Sequence, residues 1–114
     1  MRNIKFYFLI FFLALLKNDA QSLKNEFVVV VDAGHGGKDP GNRGNGYYEK
    51  NIALKIALNV GETLSNNGVK VVYTRKRDVF VDLYKRAKIA NDANADLFIS
   101  IHCDAHNSNA YGAG

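Results

Sequence analysis

The 114-residue sequence has only one cysteine and no strong excess of charge of one sign. A single cysteine excludes an intramolecular disulfide framework and any zinc site built from several thiolates. The net charge is +4, and residues 21–114 carry 12 basic and 10 acidic side chains. This balance is too mild to indicate binding to nucleic acid or to a membrane surface, so neither is expected as a partner.

The sequence also lacks a hydrophobic run long enough for a transmembrane helix. Its longest apolar run, Phe6–Leu16, has eleven residues, whereas a membrane-spanning helix needs about 20. Basic residues precede the run and a polar stretch ending at Ala20 follows it, an order typical of a secretory signal peptide. We therefore predict a signal peptide over residues 1–20, with a buried N-terminal strand or helix as the alternative. The mature protein, residues 21–114, is expected to work in the periplasm or elsewhere in the cell envelope, or outside the cell, without stable membrane insertion.

The remaining residues alternate between β-branched runs and segments of helical periodicity. This alternation predicts an α/β fold with an open, mostly parallel sheet and flanking helices, and the length allows one domain at most. Predicted strands cover 27–31, 69–74 and 96–101, and predicted helices cover 50–66 and 82–94. Residues 33–48 form a loop with six of the ten glycines and the only proline.

The two predicted helices each have one apolar face. In the first helix, which should end at Asn67-Gly68, the buried face is predicted to consist of Ala53, Ile56, Ala57, Val60 and Leu64. In the second helix, the predicted inward residues are Leu83, Ala87 and Ala90, and the predicted outward residues are Lys85, Arg86 and Lys88.

Three potential metal ligands fall at one edge of the predicted sheet, beyond the carboxyl ends of its strands. His35 follows the first strand, Glu49 lies where the glycine-rich loop meets the first helix, and His102 follows the third strand. Functional groups gather at this edge in open parallel sheets. The three side chains can converge if the third strand lies beside the first, which places the second strand on the outside.

Two imidazoles and a carboxylate form a suitable zinc ligand set, and catalytic zinc sites commonly use three protein ligands. Glycines on both sides of His35 would let the backbone turn sharply enough to aim its ring. Each residue also has a simpler interpretation. A histidine at a strand end is often an ordinary polar terminus, and Glu49 would be favourable at a helix start without any metal.

Several neighbours of the three residues could support the site. Asp32 and Asp104 could orient the imidazoles, and Arg75 could either contact an anionic substrate or be solvated. Cys103 is expected to pack away from the site, because adjacent residues in a strand point to opposite faces. His106 is an alternative ligand.

The glycine-rich loop does not match a phosphate-binding motif. A Walker loop requires Gly-Lys followed by Ser or Thr, and here Asp39 follows Gly37-Lys38.

The sequence resembles the zinc-dependent N-acetylmuramoyl-L-alanine amidases, a family of bacterial cell-wall hydrolases. The segment Val30–Gly41, VVDAGHGGKDPG, is similar to the opening motif of that family, and the similarity continues to the end of the chain. The further matching segments are Glu49-Lys50-Asn51, Thr74-Arg75, Arg86, Ala90-Asn91 and Ala95–Ala105.

The resemblance implies that His35, Glu49 and His102 bind Zn²⁺, and that the substrate is peptidoglycan or a muropeptide. The implied reaction is hydrolysis of the amide between N-acetylmuramic acid and L-alanine. Family members carry a further glutamate that acts as general base or acid, which would lie beyond Gly114, so we expect residues 21–114 to be the N-terminal portion of a catalytic domain. There are two alternatives. The chain could be a fragment that binds zinc and muropeptide without cleavage, or it could be a zinc peptidase with similar ligands. Nothing in the sequence indicates an oligomeric state.

Overall fold

The computed structural model describes residues 26–104, which form a parallel sheet with a helix on each face. The predicted signal peptide therefore lies outside the described residues. The elements are β1 (Val28–Ala33), β2 (Arg43–Gly44), β3 (Tyr47–Tyr48), α1 (Glu49–Asn66), β4 (Lys70–Tyr73), α2 (Leu83–Asp92) and β5 (Leu97–Ile101). The predicted α/β class, with an open parallel sheet and flanking helices, is confirmed. Between residues 26 and 104, no helix is both long and apolar enough to cross a membrane.

Strand β1 lies in the centre of the sheet, with β4 on one side and β5 on the other. Both pairings are parallel, with Val30 opposite Val72 in β4 and opposite Phe98 in β5. All six residues of β1 are buried, as expected for a continuous Val-rich strand covered on both faces. The condition for convergence of the three candidate ligands, that the third predicted strand lies beside the first, is therefore met, and it brings the segments after β1 and β5 together.

Helix α1 covers the face of the sheet formed by the odd-numbered residues of β1. Val29, Val31 and Ala33 form the core cluster with Ala57 of the helix, and Val60 and Leu64 pack against it. The helix ends at Asn66, and Gly68 follows with a φ of 79°, so the predicted stop is confirmed. The prediction that Ile56 is buried is wrong, because its side chain remains 41% exposed.

Helix α2 covers the opposite face, and its predicted orientation is wrong in an important respect. Arg86, which was expected to point outward, is only 7% exposed, whereas Leu83 is 84% exposed and Ala87 is also exposed. Arg86 and Ala90 are four residues apart and share a helix face, and Ala90 is half-buried. Arg86 can be buried because Asp32 of β1 faces it at 2.6 Å and supplies the opposite charge.

The glycine-rich loop contains a short hairpin that was not predicted. Strands β2 and β3 pair antiparallel, with Gly44 opposite Tyr47. Asn45 and Gly46 connect them with φ values of 48° and 81°, the left-handed conformations that a two-residue type I′ turn requires. The Asn-Gly pair is the sequence signal that would have predicted this hairpin. Because β3 runs directly into α1, the hairpin lies next to Glu49.

Candidate metal centre

The structure brings His35, Glu49 and His102 together at the carboxyl edge of the sheet. His35 follows the end of β1, Glu49 is the first residue of α1, and His102 follows β5. One potential ligand atom from each residue lies within 4.8 Å of the others. They meet because β1 and β5 are parallel neighbours whose ends lie side by side, and because the hairpin returns the chain to start α1 at the same edge.

The three nearest donor atoms form an almost equilateral triangle. Nε2 of His35 lies 3.0 Å from Oε1 of Glu49, Nδ1 of His102 lies 3.1 Å from the same oxygen, and the two nitrogens are 3.2 Å apart. Tetrahedral zinc with bonds of about 2.0 Å separates its ligand atoms by roughly 3.3 Å. The spacing of the donor atoms is therefore close to that of three ligands of one metal ion.

Glu49 is held as a carboxylate by backbone N–H groups. The residue is 3% exposed, and its Oε2 accepts a hydrogen bond from the N–H of Asn42 at 2.8 Å, while Oε1 accepts one from the N–H of Cys103 at 2.8 Å. Burial by itself raises the pKa of Glu49, but these N–H groups and the neighbouring His35 outweigh it, so the pKa lies below its ordinary value. The anionic form is the one that a cation requires.

Asp39 orients the ring of His35, a role that was not predicted from the sequence. Its Oδ2 lies 2.8 Å from Nδ1 of His35, on the side of the ring away from the other donors. This hydrogen bond and the N–H of Gly41 lower the pKa of Asp39. Histidine metal ligands commonly donate their second ring N–H to a carboxylate in this way. The sequence feature that corresponds to this pair is the spacing of four residues between His35 and Asp39 in the glycine-rich loop.

The hydrogen bonding of this cluster is compatible with a cation at its centre. Nδ1 of His35 lies beside Asp39, and its Nε2 faces Glu49 and His102. One nitrogen of His102 is likewise shared between His35 and Glu49. A metal ion would take the place of a proton shared among these atoms, because its ligands must be deprotonated. The residues therefore fit a divalent metal ion, and two nitrogens with one oxygen suit zinc.

The other predicted site residues lie around this centre rather than in it. Asp32 is buried beneath it and accepts hydrogen bonds from Thr74, Ser100 and Arg86, so its connection to His35 passes through Arg86. Burial raises the pKa of Asp32, but these three partners outweigh burial and the pKa is lowered overall.

The solvated alternative for Arg75 is wrong, because the residue is only 4% exposed. The other alternative, contact with an anionic substrate, stays a prediction. Its guanidinium donates to the carbonyls of Ala33, Gly34 and Lys50. Arg75 is therefore buried against the backbone beside His35.

The residues after His102 are only partly described. Asp104 is exposed, and its proposed role in orienting an imidazole stays a prediction. Cys103 is half-buried, and burial together with the charges of Glu49 and Asp104 raises the pKa of its thiol. Its backbone N–H, however, contacts Glu49. His106, the alternative ligand, lies outside the described residues.

Comparison with known proteins decides the family. The family model for N-acetylmuramoyl-L-alanine amidase matches residues 29–114. The chain belongs to the N-acetylmuramoyl-L-alanine amidase family. Among curated amidases, AmiA of Escherichia coli is 46% identical over 99 residues, a match that covers 85% of this chain and 34% of AmiA. The resemblance inferred from the motifs is thus confirmed at the level of the family.

Solved structures of the family share the fold. The amidase AmiC2 of Nostoc punctiforme has a TM-score of 0.70 and 43% identity, covering 73% of this chain and 47% of that protein. The catalytic domain of the amidase CwlV from Paenibacillus polymyxa has a TM-score of 0.71 and 42% identity, covering 75% of this chain and 49% of that domain. The amidase-family chain thus spans about a third of the length of AmiA and about half of the two solved neighbours.

An open groove of about 1040 Å³ adjoins the candidate metal centre of this amidase-family chain. Its lining includes His35, Asp39 and His102 together with Phe98 of β5 and residues of helix α2. Phe98 is 41% exposed and adds apolar surface to the groove. Two of the three candidate ligands, His35 and His102, therefore line this groove.

Proposed function

We propose that the chain binds zinc and takes part in hydrolysis of the amide between N-acetylmuramic acid and L-alanine in peptidoglycan. The observation that carries the proposal is the triangle of donor atoms from His35, Glu49 and His102, with sides of 3.0–3.2 Å, in a member of this family. The predicted signal peptide over residues 1–20 supports a place of work in the cell envelope, where this substrate lies.

In this proposal the three donors would hold the metal ion, and the remaining residues would keep them in place. A bound zinc ion would supply activation of water and polarisation of the scissile carbonyl. Glu49 stays anionic because its carboxylate accepts hydrogen bonds from two backbone N–H groups. Nδ1 of His35 would donate to Asp39, which lies 2.8 Å away, and Nε2 would then be free to act as a ligand.

A second candidate function is binding of zinc and muropeptide without cleavage. Amide hydrolysis requires a group that carries a proton to the leaving amine. Among the described carboxylates around the centre, Glu49 is a proposed ligand, Asp39 bonds His35 and Asp32 bonds Arg86. The proton carrier is not evident among these three, and this observation favours keeping the binding function as an alternative.

Incubation of the protein with purified sacculi separates the two functions. For the enzyme, we expect mass spectrometry to detect stem peptides released with a free L-alanine amino group, and the release to stop with a chelator and return with zinc. Retention on sacculi without release would instead support the binding function. A product cleaved within the stem peptide would indicate a zinc peptidase.

Matched variants on helix α1 test the ligand assignment. Glu49→Gln removes the buried carboxylate and should abolish zinc binding and peptide release. Glu62→Gln makes the same change at an exposed position of the same helix and should leave both unchanged. Full release by the Glu49→Gln protein would contradict the proposed metal centre.

A further inference from the structure

The backbone around His35 adopts a conformation that requires support. His35, Gly36 and Gly37 have φ values of 59°, 125° and 57°, all in the left-handed region. For a residue with a side chain, this conformation costs about 1–2 kcal/mol. Each carbonyl of this segment accepts a hydrogen bond, those of Gly36 and Gly37 from the N–H of Asp39 and from Nζ of Lys50.

Arg86 of helix α2 supplies donors to this backbone. Its Nη2 donates to the carbonyl of His35 at 2.7 Å, and its Nη1 donates to the carbonyl of Ala33 at 2.7 Å. Its Nε donates to the carbonyl of Val81 at 2.9 Å, which ties the guanidinium to the segment before α2. The planar, five-donor guanidinium can serve all these acceptors at once, which a lysine ammonium cannot.

Arg75, which follows β4, supplies the remaining donors to the same segment. Its Nε donates to the carbonyl of Ala33 at 2.9 Å, and its Nη2 donates to the carbonyl of Gly34 at 2.8 Å. Three consecutive carbonyls, those of residues 33–35, therefore each accept at least one guanidinium hydrogen. The two arginines therefore hold the backbone that carries His35.

Asp32 connects this arrangement to the strand that carries His102. Its Oδ1 accepts from Nη1 of Arg86 at 2.6 Å, and its Oδ2 accepts from the hydroxyl of Ser100 at 2.7 Å. Ser100 precedes His102 by two residues on β5. The same carboxylate therefore positions the arginine that holds His35 and contacts the strand that presents the second imidazole.

We propose that Arg86 is a positioning residue for the metal centre. Arg86 holds the carbonyl of His35, and Arg75 holds the carbonyls of Ala33 and Gly34. The proposal rests on the zinc site proposed above. Its physical basis is preorganisation: the ring of His35 can stay 3.0 Å from Glu49 only while the left-handed backbone beneath it is fixed. The hydrogen bonds of Arg86 go to backbone carbonyls and to Asp32, and none goes to the three donor atoms of the triangle.

Arg86→Lys tests this role, with Arg77→Lys as the matched control on an exposed arginine. The measurements are the zinc dissociation constant by chelator competition, the visible spectrum of the Co²⁺-loaded protein, and the unfolding free energy of the metal-free protein. We expect zinc binding to weaken by about 10–100-fold in Arg86→Lys, the range found for groups that support metal ligands. The Co²⁺ absorption bands should also change, and Arg77→Lys should match the parent protein in all three measurements.

The outcomes separate positioning from a purely structural role. A lower unfolding free energy with an unchanged zinc dissociation constant and Co²⁺ spectrum would overturn the proposal. If Arg86→Lys does not fold, Ser100→Ala tests the proposal, because it removes only the hydroxyl that donates to Asp32. Several-fold weaker zinc binding by Ser100→Ala would support the proposal, and parent-like binding would refute it. Absence of zinc binding by the parent protein would refute the metal centre itself, and this inference with it.

Discussion

Substitution of Gly34 by alanine should disable the candidate metal centre while leaving the fold intact. Gly34 follows β1 and lies against the ring of His102. A Cβ at this position would lie 2.6 Å from Nε2 and 2.7 Å from Nδ1 of that ring. The φ of Gly34 is outside the left-handed region, so the alanine backbone is not strained. The three atoms nearest to the new methyl group all belong to the imidazole of His102.

The size of the effect follows from these distances. Ordinary contact begins at 3.4 Å, so the ring must move by roughly 1 Å, a displacement that can cost about 100-fold in a preorganised site. Zinc–nitrogen bonds tolerate deviations of only about 0.2 Å. We therefore expect zinc binding to weaken at least about 100-fold, which corresponds to about 2.7 kcal/mol. His102 is exposed, so its ring can swing into solvent at little cost in stability.

The assay is chelator competition for zinc at pH 7 together with urea unfolding of the metal-free protein. Gly44→Ala is the matched control, since the same methyl group there meets nothing within 4 Å. Gly44→Ala should bind zinc like the parent, and Gly34→Ala should keep its unfolding free energy within about 1 kcal/mol. If Gly34→Ala binds zinc with a dissociation constant within about threefold of the parent value, the assignment of His102 as a ligand whose ring packs against Gly34 is refuted.

Two further predictions concern stability. The folded pKa of Asp32 lies below its ordinary value of 3.8, so its contribution to stability is present above about pH 4 and is lost as the pH falls through the folded pKa. Asp32→Asn should cost about 3 kcal/mol at pH 7 and flatten the loss of stability below pH 4. Urea unfolding between pH 7 and pH 3 checks this, and a variant whose unfolding free energy falls with pH as steeply as that of the parent would contradict it. Gly61→Ala on α1 should destabilise by about 1–3 kcal/mol, because its Cβ would overlap the ring of Tyr73. Thermal denaturation checks it, and a higher melting temperature would show that the ring yields.

The order and type of the main elements could be predicted from local patterns. The Val-rich run of β1 and the helical spacing of α1 identify their elements within one or two residues. The shared position of His35, Glu49 and His102 at one edge followed from parallel strand topology, and the structure places them together. The hairpin was missed although its Asn-Gly turn is a local signal.

The sequence by itself determined the secondary structure and the residue types available to the site, because hydrophobic periodicity acts within an element. Only the tertiary structure decided that Arg86 and Arg75 are buried and that Asp39 pairs with His35. A guanidinium can be buried only where an anion and carbonyls surround it. The carbonyls of residues 33–35 accept guanidinium hydrogen bonds at the end of β1, and Asp32 also belongs to β1, whereas Arg86 lies on α2. The hydrophobic periodicity of α2 therefore does not predict that Arg86 contacts Asp32 and these carbonyls.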